Sequence, residues 1–194
     1  TGKMKIKANV KFDITKEDIR LAEERSSNQI TEIKKKGKKI ESEISYFKGA
    51  LAVIIVEKFL GKDRAKFDDK WDNDLLVDGT TKLEVKETGM DVNYQKNHFE
   101  FDIDKRPYRQ KCDYVAFVLL KSNYAVGYFL GILPGDDAFN EKRILGPHKN
   151  KDNGKEIERE NYVIIFHEII DPYESKRILL KEEPASVWGK DEKK

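Results

Sequence analysis

Between Lys3 and Phe12 apolar and polar residues alternate, which predicts a short strand. Thr15, with Asp18 three residues on, has the form of a capping box and predicts a helix running toward Ile33. The break Lys34-Lys35-Lys36-Gly37-Lys38-Lys39 closes that segment. From about Ile40 to Leu60 a second helix is predicted, because Phe47, Leu51, Ile54, Ile55 and Leu60 recur over a broad apolar face and Gly61 supplies a stop. This is the pattern of a core helix.

From Trp71 the period falls to two. Leu75, Val77, Leu83 and Val85 occupy odd positions around Asp78-Gly79, which reads as a β-hairpin, and Phe99, Phe101 and Ile103 alternate in a further strand. Tyr114 to Leu120 is almost continuously apolar, as in a strand buried on both faces, and Tyr124 to Leu133 forms another that ends at Pro134-Gly135. Residues 146–156 read as an exposed, mobile loop before a last strand, Tyr162 to His167. Helices first and then many strands predict a single-domain α/β or mixed α+β fold. Residues 1–39 read as an N-terminal strand and helix extension, 40–180 as the core, and 181–194 as a charged tail.

Composition adds limits. The 194 residues suffice for one domain. A single cysteine, Cys112, excludes an internal disulfide framework and a multi-cysteine zinc site, and makes an intracellular, cytoplasmic address the default. The longest apolar run, Leu51 to Val56, is far below the roughly 20 residues that span a bilayer, so no membrane is expected. Net charge is only +2, which argues against coating nucleic acid through bulk charge. The charge is nevertheless segregated: residues 1–62 hold 15 Lys/Arg against 9 Asp/Glu, whereas residues 63–103 hold 6 against 11. An acidic middle beside a basic flank suits a site that gathers carboxylates for a cation and draws a polyanion around it.

Those carboxylates fall on the hairpin. A two-residue Asp78-Gly79 loop would set Asp74 beside Leu83 and mix carboxylate with leucine on one face. An odd loop, such as Val77-Asp78-Gly79 with the glycine in the left-handed region, brings Asp74, Glu84 and Lys86 to the side opposite the leucines. Two neighbouring carboxylates bind a hard cation such as Mg²⁺, and a lysine beside them can orient a water or stabilise developing charge. Six Asp/Glu-x-Lys triplets occur in this charged chain, at Glu32, Asp68, Glu84, Glu174, Asp191 and Glu192. Only the Glu84 triplet lies on an alternating strand with a hairpin and an in-phase Asp before it. Asp72, also in phase, is a further candidate carboxylate.

Asp74-Leu-Leu-Val, the Asp-Gly turn and Leu83-Glu84-Val-Lys86, preceded by a helix and followed by Asp113-Tyr-Val-Ala-Phe-Val, resemble the PD-(D/E)XK nuclease superfamily, over roughly residues 40–135. The resemblance implies a restriction endonuclease-like core, with a central mixed sheet flanked by helices. It implies Mg²⁺-dependent cleavage of DNA, with Mn²⁺ as a substitute, Asp74 and Glu84 as metal ligands and Lys86 as the catalytic lysine. RNA remains open as a substrate. A restriction-type enzyme is the first expectation, a Holliday-junction or repair nuclease or a degenerate nucleic-acid-binding module the alternatives, and a homodimer the usual way to cut both strands. Asn73 stands where proline is common. The preceding helix often carries a further acid in a Gly-x-x-x-Glu setting; here Val53 follows Gly49-Ala-Leu-Ala, and Glu57 is the nearest substitute as a metal ligand, with Glu43 further back.

Several cations are candidates for phosphate contact: Lys34, Lys35, Lys36, Lys38 and Lys39 in the lysine run, and Arg106, Arg109 and Lys111 around Tyr108. Tyr94 and Gln95 lie where some superfamily members place substrate contacts. His98, His148 and His167 are scattered and read as structural or surface residues, and Cys112 as a small apolar residue. There is no Walker loop or dinucleotide fingerprint.

Overall fold

Thr15 and Asp18 close the expected capping box: Thr15 Oγ1 accepts from the Asp18 amide at 3.1 Å and Asp18 Oδ2 accepts from the Thr15 amide at 2.9 Å. They open helix α1 (Lys16–Lys35) in a computed structural model that describes residues 10–40, 42–68, 74–89, 100–105, 111–150 and 154–182. Helix α2 (Glu43–Leu60) follows, and Gly61 ends it with φ of 101° while its amide donates to the Glu57 carbonyl at 2.9 Å. Ala50 to Glu57 are buried without a break. That apolar run is enclosed by a sheet, by α1 and by a C-terminal helix, α4 (Pro172–Leu179), whose Leu179 joins the same core.

The main sheet has six strands. In chain order they are β1 (Lys11–Asp13), β2 (Ala65–Phe67), β3 (Leu75–Val77), β4 (Thr81–Gly89), β6 (Tyr114–Leu120) and β7 (Val126–Pro134); in space they run β1-β7-β6-β4-β3-β2. β4 and β6 are parallel and the remaining pairs antiparallel, so the sheet is mixed, as expected. Strand β5 (Glu100–Asp104) belongs to a second sheet with β11 (Asn161–Ile165) and β8 (Ile144–Leu145), in the order β5-β11-β8. A short helix, α3 (Gly135–Ala138), follows β7.

The two layers explain the apolar patterns. Leu83, Val85, Ala116, Val118 and Leu120 point to the helices, whereas Val115, Phe117 and Leu119 pack with Phe101, Ile103 and Ile164 of the second sheet. Tyr114–Leu120 is therefore buried on both faces, which accounts for its continuous apolar run. α1, α2 and α4 all lie on one face, and the second sheet covers the other. β1 edges the main sheet against β7, and Ala22 of α1 shares the core with α2, so the N-terminal strand and helix pack on the body formed by the later elements.

Some elements are not those expected. Residues 146–156, read as a loop, contain β9 (His148–Lys149), which pairs with β10 (Glu156–Ile157) and buries Ile157. Two-residue strands are too short to show alternation. β2 and α4 were likewise not anticipated, although Asp171 before Pro172 is a helix start: the Asp171 carboxylate accepts from the amides of Tyr173 and Glu174. Among the described residues, no helix is long and apolar enough to cross a membrane.

Candidate metal centres

The hairpin takes an odd loop, one register step from the expected one. Val77 pairs with Thr81 across Asp78-Gly79-Thr80, and Leu75 with Leu83. Asp78 and Gly79 have φ of 50° and 74°, and Arg64 clamps the Asp78 carboxylate at 2.6 and 2.8 Å. Continued by one residue, this register sets Asp74 across from Glu84. Leu75, Val77, Leu83 and Val85 face the helices, and alternation turns Glu84 and Lys86 to the opposite side.

Asp74 sits at the point where β3 begins. Its Oδ2 accepts from the Val85 amide at 2.7 Å, which fixes the carboxylate against β4. Burial, and then the charge of Glu84, push its carboxyl up to about 6, against the smaller opposing pull of the Val85 amide and Lys86. Asp68, buried just beyond β2, adds repulsion, and its amide donates to the Asp74 carbonyl at 3.3 Å. Lys86 Nζ lies 3.7 Å from Glu84 Oε2. Two carboxylates and one ammonium thus share one electrostatic neighbourhood, a donor set suited to a hard divalent cation. Glu87, the next residue, is raised by burial, and its Oε2 is buried with no hydrogen-bond partner among the described residues.

Glu57 does not join them. Both its oxygens accept from the Arg25 guanidinium, at 2.6 and 3.0 Å, and the residue is buried on α2 rather than on the surface. Arg25 already supplies its counter-charge, which removes Glu57 as a metal ligand. Lys34, Lys35, Lys36, Lys38 and Lys39 are exposed at the end of α1 and in the turn that follows it. Lys111 is exposed ahead of β6, whose Tyr114 pairs with Leu83. Asp72, Tyr94, Gln95, His98, Arg106, Tyr108 and Arg109 lie outside the described residues.

A second cluster was not anticipated. Glu100, Asp102 and His148 bring one ligand atom each to within 4.8 Å of one another and could hold a metal ion. His148 Nε2 lies 3.0 Å from Glu100 Oε1 and 3.4 Å from Asp102 Oδ1. The Gly146 carbonyl, 2.8 Å from Nδ1, raises the imidazole; burial opposes this, and the Glu100 and Asp102 charges add to it. The intervening Phe101 and Ile103 are buried in the core, so the two acids point outward from β5. That alternation, acids at i and i+2 on an apolar strand, was the legible signal. Its histidine, 46 residues beyond Asp102 in the sequence, was not.

No protein-family model matches this chain, and no curated protein matches it either.

Proposed function

We propose that the protein is a divalent-metal-dependent endonuclease that hydrolyses DNA phosphodiester bonds, of the restriction endonuclease-like type, with Asp74, Glu84 and Lys86 as its working residues. One observation carries this reading: a half-buried Asp74, its carboxyl raised to about 6 beside Glu84, with the Lys86 ammonium on the same strand face as Glu84. The mixed sheet with helix α2 ahead of the hairpin supports the resemblance noted from sequence.

Asp74 and Glu84 would hold Mg²⁺, or Mn²⁺ in its place; when bound, the ion supplies Lewis-acid polarisation of a phosphoryl oxygen. The residues do the rest. The Val85 amide keeps Asp74 aimed, and Glu84 keeps the Lys86 ammonium near the reacting group. Lys86 donates hydrogen bonds to an attacking water or to the phosphoryl oxygens as charge grows on them. Two carboxylates are sufficient for Mg²⁺, which takes much of its coordination from water and substrate phosphate. A homodimer would present two such sites to the two strands of a duplex.

A second reading, a nucleic-acid-binding module with a degenerate site, is favoured by the capture of Glu57 by Arg25, which takes the helix carboxylate away. One assay separates the two. Supercoiled plasmid, linear duplex, single-stranded and branched DNA, and RNA are incubated with the protein and Mg²⁺ or Mn²⁺. Cleavage is expected on DNA, and Glu84→Ala and Lys86→Ala should each abolish it. Cleavage that survives both changes overturns the assignment, and salt-dependent DNA binding with no cleavage under Mn²⁺ favours the module.

A further inference from the structure

The Glu100, Asp102 and His148 cluster is built as a metal site rather than as a surface coincidence. His148 Nδ1 lies 2.8 Å from the Gly146 carbonyl, which can only accept, so Nδ1 carries a proton and Nε2 is the nitrogen turned toward the carboxylates. Asp102 is held from behind: its Oδ2 accepts from Asn150 Nδ2 at 2.7 Å, and Asn150, itself 1% exposed, also donates to the Glu100 carbonyl at 3.3 Å. The other oxygen of Asp102 is different. The Asp102 side chain is only 9% exposed, and its Oδ1 is buried with no hydrogen-bond partner among the described residues, aimed at the gap between His148 and Glu100.

The spacing fits a small ion. Ligands bound tetrahedrally at about 2.0–2.2 Å stand roughly 3.3–3.6 Å apart. The two separations from His148 Nε2, 3.0 Å to Glu100 and 3.4 Å to Asp102, lie near that range, and all three ligand atoms lie within 4.8 Å of one another. One imidazole with two carboxylates favours Zn²⁺ or a similar transition metal over Mg²⁺, which takes oxygen ligands. Asp102 also lines an open cavity of about 510 Å³ together with Asp104, Lys155 and Arg159.

We infer that Glu100, Asp102 and His148 bind one Zn²⁺-like ion that fastens the β9–β10 hairpin to β5, separately from the Asp74 and Glu84 pair. The two strands of that hairpin span only two residues each, too little to hold by pairing alone. Two ligands come from β5 and one from β9, so the ion bridges the elements. Asn150 acts as a positioning residue, setting the orientation of Asp102.

Metal-free protein carrying Asp74→Asn and Glu84→Gln is titrated with Zn²⁺ by calorimetry and with Co²⁺ by visible absorption. One ion per chain is expected in that background, so failure of the nuclease reading leaves this test intact. His148→Ala or Asp102→Asn should weaken binding more than about 100-fold, and Asn150→Ala about 10–100-fold. Zn²⁺ should slow amide exchange in β9, β10 and β5. Should either ligand variant fail to fold, Glu100→Gln, which keeps the side chain's shape, must show the same loss of affinity and an altered Co²⁺ spectrum. Absence of saturable binding, or binding that survives loss of His148 or of the Glu100 charge, overturns the site.

Discussion

Glu57 accepts two hydrogen bonds from Arg25, at 2.6 and 3.0 Å, and this pair joins α1 to the core helix where both side chains are almost wholly buried. Arg25 also stacks over the Phe67 ring, 4.3 Å from its centroid, which ties the pair to β2 at the base of the hairpin. Arg25→Ala leaves a buried carboxylate without a counter-charge. Urea unfolding should show a loss of about 3–5 kcal/mol. Replacing both residues by leucine should restore most of it, because the desolvated charges are removed together. A single-variant loss under 1 kcal/mol would contradict the buried geometry.

Asp18 makes the same joint sensitive to acid. Burial pushes its carboxyl up, but the Lys58 ammonium at 2.7 Å and the Thr15 amide and hydroxyl together outweigh burial and hold it below the ordinary value. The folded pKa is thus lower than the unfolded one, so this contribution is complete above about pH 4 and is lost as pH falls through the folded value. Stability profiles between pH 2 and 6 should flatten in Asp18→Asn relative to the wild type. At neutral pH the same change should cost about 1–2 kcal/mol, since the capping box and the Lys58 pair go together.

Much of this frame was legible, and the reason is length. The capping box, the buried helix up to Gly61 and the alternation of Leu75, Val77, Leu83 and Val85 each repeat a local rule often enough to be read. Hairpin parity followed from keeping leucines off the carboxylate face. The step of register did not, because Thr80 could sit in the loop or the strand with no change of parity. β2, β9 and β10 have two or three residues each, too few for any period. Glu57 resisted for another reason: its partner Arg25 lies 32 residues away, and no local pattern marks a long-range pair. His148 joins Glu100 and Asp102 in the same non-local way.

Gly131 carries a constraint that its sequence neighbours conceal. Its φ is 131°, it lies at a register shift between β6 and β7, and a Cβ there would stand 1.8 Å from the Ile170 carbonyl oxygen. Gly131→Ala should therefore destabilise the fold by at least about 2 kcal/mol, since backbone strain and collision with a fixed main chain act together. Gly79→Ala is the control. Gly79 also has positive φ, 74°, but meets nothing within 4 Å, so only the left-handed penalty of about 1 kcal/mol should appear. Equal effects in denaturant titrations would remove the steric argument.

The raised carboxyl of Asp74 predicts a conflict between stability and metal binding. Its folded pKa of about 6 lies above the ordinary value of 3.8, so the native state holds its proton more tightly than the unfolded chain. Stability without metal therefore falls as pH rises from about 4 to 6, and the penalty is full above that range. Asp74→Asn keeps an acceptor for the Val85 amide but removes the charge facing Glu84. At pH 7.5, without divalent metal, this variant should be more stable than the wild type by on the order of 2 kcal/mol, and the difference should vanish near pH 4. Mg²⁺ should reverse the order: it stabilises the wild type by neutralising the carboxylate pair and leaves Asp74→Asn unchanged. Thermal unfolding of both proteins at pH 4 and 7.5, with and without Mg²⁺, gives the whole comparison. A variant less stable than the wild type at pH 7.5 without metal would mean that Asp74 holds the fold together rather than waiting for a cation.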